Sequence, residues 1–449
     1  MGSEAGGGNG QIDDIRKVGL ASFLGALTEW YDFFLYGLAA SLVFAKLYFP
    51  SGNDTLALLA SFATFGVGFF ARPVGGVIFG NYGDKLGRKQ MLVLTLLIMG
   101  VATFLIGLLP TYESIGILAP IGLVVLRIVQ GIGVGGEWGG AVLMVTEHAP
   151  GEKRGYFGSW PQMGSSAALL LATGLFTLMS QLPEDDFLSW GWRVPFLLSL
   201  VLVAVGLFIR VRIAETPVFE AMKETGEEAS TPVVEAVREH KRSILLVIGM
   251  RVAENSCGYL VTVFGLAYVT EEIGLSDTLG LIGVMLAAAV QFCITPVYGA
   301  VSDRIGRRPV YMFGAAFLVL FAFPFFWLLQ SEKTALVWIA FVLAYAVGNG
   351  AMFATQPAFF SELFGSKVRY SGVSLGYQLA AVFAGGLAPF IAQALFSAAG
   401  SYWPVALQIV VVGVISLVST ILATETYGRD LGPPKPRRPR RRATVRGAA

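Results

Sequence analysis

Seven ionisable side chains stand inside long apolar runs of this sequence: Glu29, Asp32, Arg72, Arg127, Glu137, Arg251 and Glu254. A charge at bilayer depth costs about 2.5–3.5 kcal/mol even on lenient scales, so each one requires a partner or a task. Glu29 and Asp32 are spaced i, i+3 and share a helix face, with Tyr36 one turn beyond. Two carboxylates so close in a low dielectric do not readily ionise together, and one of them can take up and release a proton. That is the chemistry of proton coupling, with Asp32 the deeper of the two. The alternative is a static ion pair with an arginine on a neighbouring helix.

Arg127 opens a glycine-rich stretch that runs through Gln130 to Glu137 and Trp138. At 1.5 Å per residue Glu137 lies about 15 Å along the axis, so Arg127 and Glu137 cannot pair. Arg127 can meet Asp32 or Glu29 instead, and it suits either binding an anion and expelling a proton or locking two helices together. Arg251 and Glu254 sit at i, i+3 on a later helix, Arg251 falling 219 residues after Asp32. They read either as substrate contacts or as an internal ion pair. Trp138 and the uncharged Gln130, Gln162, Asn255, Tyr259, Gln356 and Gln378 complete the candidate substrate set with Arg127, Glu137, Arg251 and Glu254. Taken singly, each of these is more often a helix-packing hydrogen bond than a ligand contact; as a set they mark a cavity. Pro161 and Pro357 are candidates for breaking helix regularity beside Gln162 and Gln356.

The elements that position these residues are membrane helices. The 449 residues are 55% hydrophobic and only 14% charged, with a mean hydropathy of +0.67; a soluble domain carries about 25% charged residues. Apolar runs predict twelve spans, at about 18–45, 56–81, 90–109, 115–146, 156–180, 191–211, 243–270, 276–301, 309–329, 335–363, 370–397 and 401–423. A polar segment, 212–242, divides them six and six. It is expected to hold amphipathic surface helices between two bundles at 18–211 and 243–423, flanked by tails at 1–17 and 424–449. The fold class is therefore all-α, with two pseudo-symmetric six-helix bundles.

A charged turn supports the duplication. Gly80, Asp84, Gly87 and Arg88 recur 219 residues later as Gly299, Asp303, Gly306 and Arg307. The glycines permit close packing, and the aspartates can cap a neighbouring helix. The turns are too peripheral to touch substrate and read as a gate. Glu147 with Arg154, and Glu362 with Arg369, repeat at an offset of 215. Lys and Arg crowd the loops on the side of the central segment, whereas the other side holds only Lys46 and Lys333 beside acids such as Glu184, Glu271 and Glu272. The positive-inside rule puts both termini in the cytoplasm of a multi-pass protein of the cell membrane. The glycine-rich start lacks the layout of a cleaved signal peptide. The Pro- and Arg-rich tail, with Lys435, Arg437 and Arg438, reads as a positive-inside tail or as a contact for anionic lipid.

Two histidines and two apolar-run cysteines give no metal cluster, and no nucleophile–base pair is visible. No enzyme activity, cofactor or nucleic-acid partner is expected.

The repeated Gly-x-x-x-Asp-x-x-Gly-Arg turn and Arg127-Ile128-Val129-Gln130-Gly131 resemble signatures of the major facilitator superfamily. Glu215-Thr216-Pro217 and Glu425-Thr426 resemble the acidic motifs that close its two halves. Glu29-Trp30-Tyr31-Asp32-Phe33, Val134 to Gly140 and Ser189 to Phe196 are similar to its metabolite:proton symporter group, to which shikimate, α-ketoglutarate, citrate and proline/betaine permeases belong. The resemblance implies a central cavity, alternating access and uptake driven by inward proton flow, with the protein acting as a monomer. The leading expectation is symport of a small organic acid such as shikimate, with the proton at Asp32 or Glu29 and substrate against Arg127 or Arg251. Uptake of proline or betaine is the alternative, although the short tail has no heptads. Proton/drug antiport ranks third.

Overall fold

The computed structural model describes residues 7–50, 54–211 and 232–431, together with Glu215, Phe219, Glu220 and Lys223. The readings for the remaining tail and loop residues, the basic Lys435, Arg437 and Arg438 among them, lie outside the described residues, as does the side chain of Arg88.

Helix α1 spans Gly7–Ala39 and continues through a π-helical turn, Ala40–Phe44, into Ala45–Tyr48. It begins well upstream of the apolar run that opens near residue 18. Helix α2 spans Asp54–Leu86. Then follow α3 (Lys89–Leu108), α4 (Leu118–His148), α5 (Gly151–Met179), α6 (Glu184–Phe208), α7 (Lys241–Thr270), α8 (Thr278–Ile305), α9 (Arg307–Leu329), α10 (Thr334–Glu362), α11 (Ser366–Ala399) and α12 (Trp403–Leu422). These ten are long and apolar enough to cross a membrane. Helices α1 and α2, which carry Glu29, Asp32 and Arg72, complete the twelve.

Helices α1 to α6 form one bundle and α7 to α12 the other, and the bundles meet where α2 packs on α11 and α5 on α8. A surface helix, Pro232–Glu239, lies between them and touches both α2 and α11. The glycines near Arg127 allow α2 and α4 to pack backbone on backbone. A Cβ on Gly75 would collide with the Ile132 carbonyl, and one on Gly135 with the Arg72 carbonyl. Gly135→Ala is therefore expected to cost about 1–3 kcal/mol by overpacking and to lower the unfolding midpoint in detergent. Gly174→Ala, where a Cβ meets nothing within 4 Å, should leave the midpoint unchanged.

Helix regularity is interrupted chiefly by π-turns rather than by proline. Pro357 lies within the unbroken helix Gly350–Glu362. Proline cannot donate to the carbonyl four residues back, which here is that of Phe353. Gln162 Nε2, reaching across from α5, donates to that carbonyl at 2.9 Å. Pro161 does sit at a break, at the N-terminal end of Trp160–Met179. The π-turns Leu260–Phe264 of α7 and Leu343–Asn349 of α10 lie at the central cavity, where such bulges re-aim side chains.

Candidate functional site

Between the bundles lies a half-open cavity, about 390 Å³ when the solvent space at its mouth is counted. Glu254, Asn255, Gly258, Tyr259 and Thr262 of α7 form one wall, and Trp30, Phe34 and Ser165 the opposite one. Tyr345, Asn349 and Phe353 of α10 close a side. The α7 residues recur at helical spacing, so this face runs for about 12 Å from Glu254 to Thr262.

Three buried arginines surround the cavity floor, each with a carboxylate acting on it. Arg251 Nε lies 3.5 Å from Glu254 Oε2. Arg127 and Asp32 act on one another between α4 and α1. Glu29 acts through space on Arg72 of α2. The two acids of the i, i+3 pair of α1 thus each act on an arginine of a neighbouring helix, Asp32 on Arg127 and Glu29 on Arg72. Both Asp32 oxygens are buried, and among the described residues no hydrogen bond reaches them. Around Asp32, Arg127 Nη1 donates to Gln130 Oε1 at 3.1 Å, and Gln130 Nε2 donates to Thr103 Oγ1 at 2.6 Å.

Arg72 appeared in the sequence only as an intramembrane charge without a role. Its guanidinium carbon lies 4.3 Å from the Phe69 ring centre and 4.7 Å from that of Phe33. Both rings make edge contacts with Tyr259, so Arg72 stands directly behind the cavity wall. No hydrogen bond or ion pair to Arg72 occurs among the described residues. Aromatic faces hold a cation in place without occupying its N–H donors, so nothing in the local sequence signalled its availability. Three more donors at the cavity are buried and unpartnered: Trp30 Nε1, Asn255 Nδ2 and the Tyr259 hydroxyl.

Of the residues expected to contact substrate, Glu254, Asn255 and Tyr259 line the cavity, and the others do not. Glu137 is buried inside the first bundle and accepts from Thr95 of α3. Trp138 stacks on Tyr377 with ring centres 3.5 Å apart and donates to Gln162. Gln378 Nε2 donates to the Val134 and Gly135 carbonyls across the bundle interface. Gln356 Nε2 donates to Glu254 Oε2 at 3.0 Å. Arg251 lies over Tyr377 and donates to its carbonyl at 2.8 Å. Arg127 and Gln130 belong to the Asp32 cluster. These amides and rings make a floor between the bundles, because a buried amide in a helix interface must find partners.

Below that floor, on the face carrying the repeated turns, the bundles are tied together. Gly87 and Gly306 have φ of +111° and +101°, which only glycine adopts readily. Gly80 and Gly299 press against the Ser371 and Gly155 backbones. Asp84 accepts from the Ser371 N–H and hydroxyl at 2.9 and 2.8 Å. Asp303 accepts from the Gly155 and Tyr156 N–H groups at 2.8 Å each. Each turn therefore caps a helix of the opposite bundle. Arg307 donates to Asp303 at 2.6 Å and to Glu362.

The ion pairs are crossed. Arg154 of the first bundle pairs with Glu362 of the second at 3.0 Å, and Arg369 of the second pairs with Glu147 of the first at 2.9 Å. Glu425 accepts from the Arg307 and Arg308 N–H groups at the start of α9, and Glu215 from the Lys89 N–H at the start of α3. Burial opposes ionisation of Glu425, but hydrogen bonds from the backbone N–H groups of Tyr427, Arg307, Arg308 and Thr426 outweigh it and hold its carboxyl below the usual range. Level with the cavity, Ser166 of α5 donates to Gln291 Oε1 of α8 at 2.9 Å; further from the turns no cross-bundle hydrogen bond occurs among the described residues.

Two helical bundles facing one another across a central cavity lined by aromatic and a few polar side chains, closed at one end by paired turns, define a membrane transporter fold. The Major Facilitator Superfamily profile matches residues 22–377, and the chain belongs to that superfamily. It is thus a transport protein and not an enzyme. A shikimate transporter of Escherichia coli (strain K12) is 43% identical over 417 residues, covering 92% of this chain and 95% of the relative. A proline/betaine transporter of the same organism is 35% identical over 435 residues, covering 94% and 86%. Among solved structures, the proton:xylose symporter XylE bound to 6-bromo-6-deoxy-D-glucose superposes with a TM-score of 0.76 at 17% identity, covering 94% of this chain and 98% of that one. The TM-score falls to 0.61 for the inward open conformation of XylE, at 19% identity with 93% and 98% covered.

Proposed function

We propose that this chain is a proton-coupled symporter that takes up a small organic acid, a carboxylate such as shikimate, by alternating access. The observation that carries this reading is the surplus of buried donors. Trp30 Nε1, Asn255 Nδ2 and Tyr259 Oη are unpartnered at the cavity, with the Arg72 guanidinium behind Tyr259. Unmade buried hydrogen bonds cost about 1–3 kcal/mol each, and a carboxylate supplies the acceptors that are missing.

Charge balance suggests the order of events. With Glu137 set apart inside the first bundle, the ionised Arg72, Arg127 and Arg251 are matched by Glu29, Asp32 and Glu254. A proton taken by Asp32 leaves one positive charge in excess, and the substrate carboxylate cancels it. Positive-inside topology makes the turn face cytoplasmic, with both termini on that side and the protein closed towards the cell. Proton and acid then enter from outside, the bundles rock, and both leave once the crossed pairs part.

In proteoliposomes, Arg72→Gln is expected to raise the KM for carboxylate uptake at least about 30-fold, because truncating a desolvated charged contact costs about 2 kcal/mol or more. An unchanged KM would exclude Arg72 as the anchor. The aromatic lining formed by Trp30, Phe34, Tyr345 and Phe353 favours one second reading, the uptake of a quaternary ammonium solute held against ring faces. Uptake of glycine betaine without uptake of shikimate in the same vesicles would select it.

A further inference from the structure

We propose that Glu254 is the specificity-determining residue of the cavity, and that it restricts the substrate to a hydroxylated monocarboxylate. The inference rests on the carboxylate reading above and adds what the other end of the substrate must carry.

The cavity is chemically lopsided. The unpartnered groups Trp30 Nε1, Asn255 Nδ2 and Tyr259 Oη can all donate, and they take acceptors. Glu254 is the one ionisable carboxyl among the lining residues. Its Oε2 is committed, accepting from Gln356 Nε2 at 3.0 Å and lying 3.5 Å from Arg251 Nε. Its Oε1 accepts nothing among the described residues. The carboxylate is thus anchored by one oxygen and offers the other to the cavity.

This geometry sorts ligands. Arg251 already balances the charge of Glu254, so an ammonium group brought there would leave an excess positive charge. A neutral hydroxyl donates to Oε1 without changing the balance. A second carboxylate would put two anions in contact in a desolvated site, where like-charge juxtaposition costs several kcal/mol. A trimethylammonium group has no N–H or O–H, so it leaves Oε1 unsatisfied. Sites built around a substrate hydroxyl reject analogues lacking it by large factors, because the protein's own polar group is left bare. Tyr259 lines the same cavity as Glu254 and meets the Phe33 and Phe69 rings that hold Arg72. A compact acid can therefore span both ends, its carboxylate towards Arg72 and its hydroxyls towards Glu254. Aromatic faces of Trp30, Phe34 and Phe353 cover its apolar flanks.

The test is ligand-induced thermal stabilisation of the purified full-length protein in detergent, titrated with shikimate, α-ketoglutarate and glycine betaine. A ligand that binds the folded state raises the midpoint in proportion to its occupancy, so apparent affinities follow. In the wild type, shikimate should bind about 100-fold more tightly than either other ligand. In Glu254→Gln the preference over α-ketoglutarate should shrink to less than about 10-fold, because the repulsion is gone. Glu254→Asp, which keeps the charge, should retain the rejection of α-ketoglutarate. Equal wild-type affinity for shikimate and α-ketoglutarate, or an unchanged ratio in Glu254→Gln, would overturn the role of Glu254 and leave the carboxylate reading standing. Stabilisation by glycine betaine alone would overturn both. The wild-type panel decides the matter even if Glu254→Gln does not fold.

Discussion

Asp32→Asn is expected to abolish uphill accumulation of substrate while leaving substrate-for-substrate exchange intact. Both Asp32 oxygens are buried, no hydrogen bond reaches them among the described residues, and Arg127 is the cation acting on them. The amide introduced by this substitution would mimic the protonated acid permanently. The cavity would then stand ready for a carboxylate in every conformation, and the loaded carrier could rock in both directions. What it could no longer do is reset by shedding a proton. In proteoliposomes, internal substrate should level off at the external concentration whatever pH gradient is imposed, a loss of the whole proton-driven gradient. Counterflow with substrate on both sides should continue. Glu29→Gln should be the milder change, since Glu29 acts on Arg72 rather than on Arg127. If accumulation survived in Asp32→Asn, the driving force would have to enter elsewhere.

Glu362→Gln is expected to open the turn face. Glu362 is buried and accepts from Arg154, Arg307 and the Thr426 hydroxyl. Removing one member of a buried ionic cluster costs about 3–5 kcal/mol, because the remaining charges lose their compensation. The pair with Arg154 spans the two bundles, so the loss weighs on the closed arrangement in particular. A differential of even about 3 kcal/mol shifts a two-state equilibrium about 150-fold. Ser374 lies under the lock, buried at 1% exposure against Gly139 of the other bundle. A Ser374→Cys reporter should react at least about tenfold faster with a water-soluble maleimide in the Glu362→Gln background. Equal rates would mean that the ion pairs do not hold this face shut.

What could be read from the sequence was whatever has a local cause. The repeated turn was legible because Gly87 and Gly306 must reach positive φ and because Asp84 and Asp303 sit at fixed spacing from them. The twelve spans were legible because a bilayer imposes their length. The pairing of the seven buried charges was not. Glu29 and Asp32 looked like one site because helix spacing brings them to one face, yet α1 touches both α4 and α2, and each acid answers a different arginine. The partners of the glutamines were not legible either: Gln162 serves the Phe353 carbonyl that Pro357 leaves without a donor, a contact between distant helices. Arg72 was visible as an intramembrane charge, but its place behind the cavity was not, because its surroundings are phenylalanines, which give no hint of a charged task. The echo of Glu147 and Arg154 in Glu362 and Arg369 was visible as a repeat, but only the folded chain shows that each acid takes the base of the opposite half.

That exchange of partners bears on how freely the carrier can cycle. Glu147 and Arg154 flank a single short connection between α4 and α5, and Glu362 and Arg369 flank its counterpart between α10 and α11. When the halves separate, every acid loses a distant base but keeps one a few residues away in its own half. A swing of the side chains can trade the foreign partner for the native one, so no charge need be stranded during the motion. Duplication followed by crossed pairing would thereby supply a reversible clasp with two comparable resting positions, which is what repeated opening and closing requires.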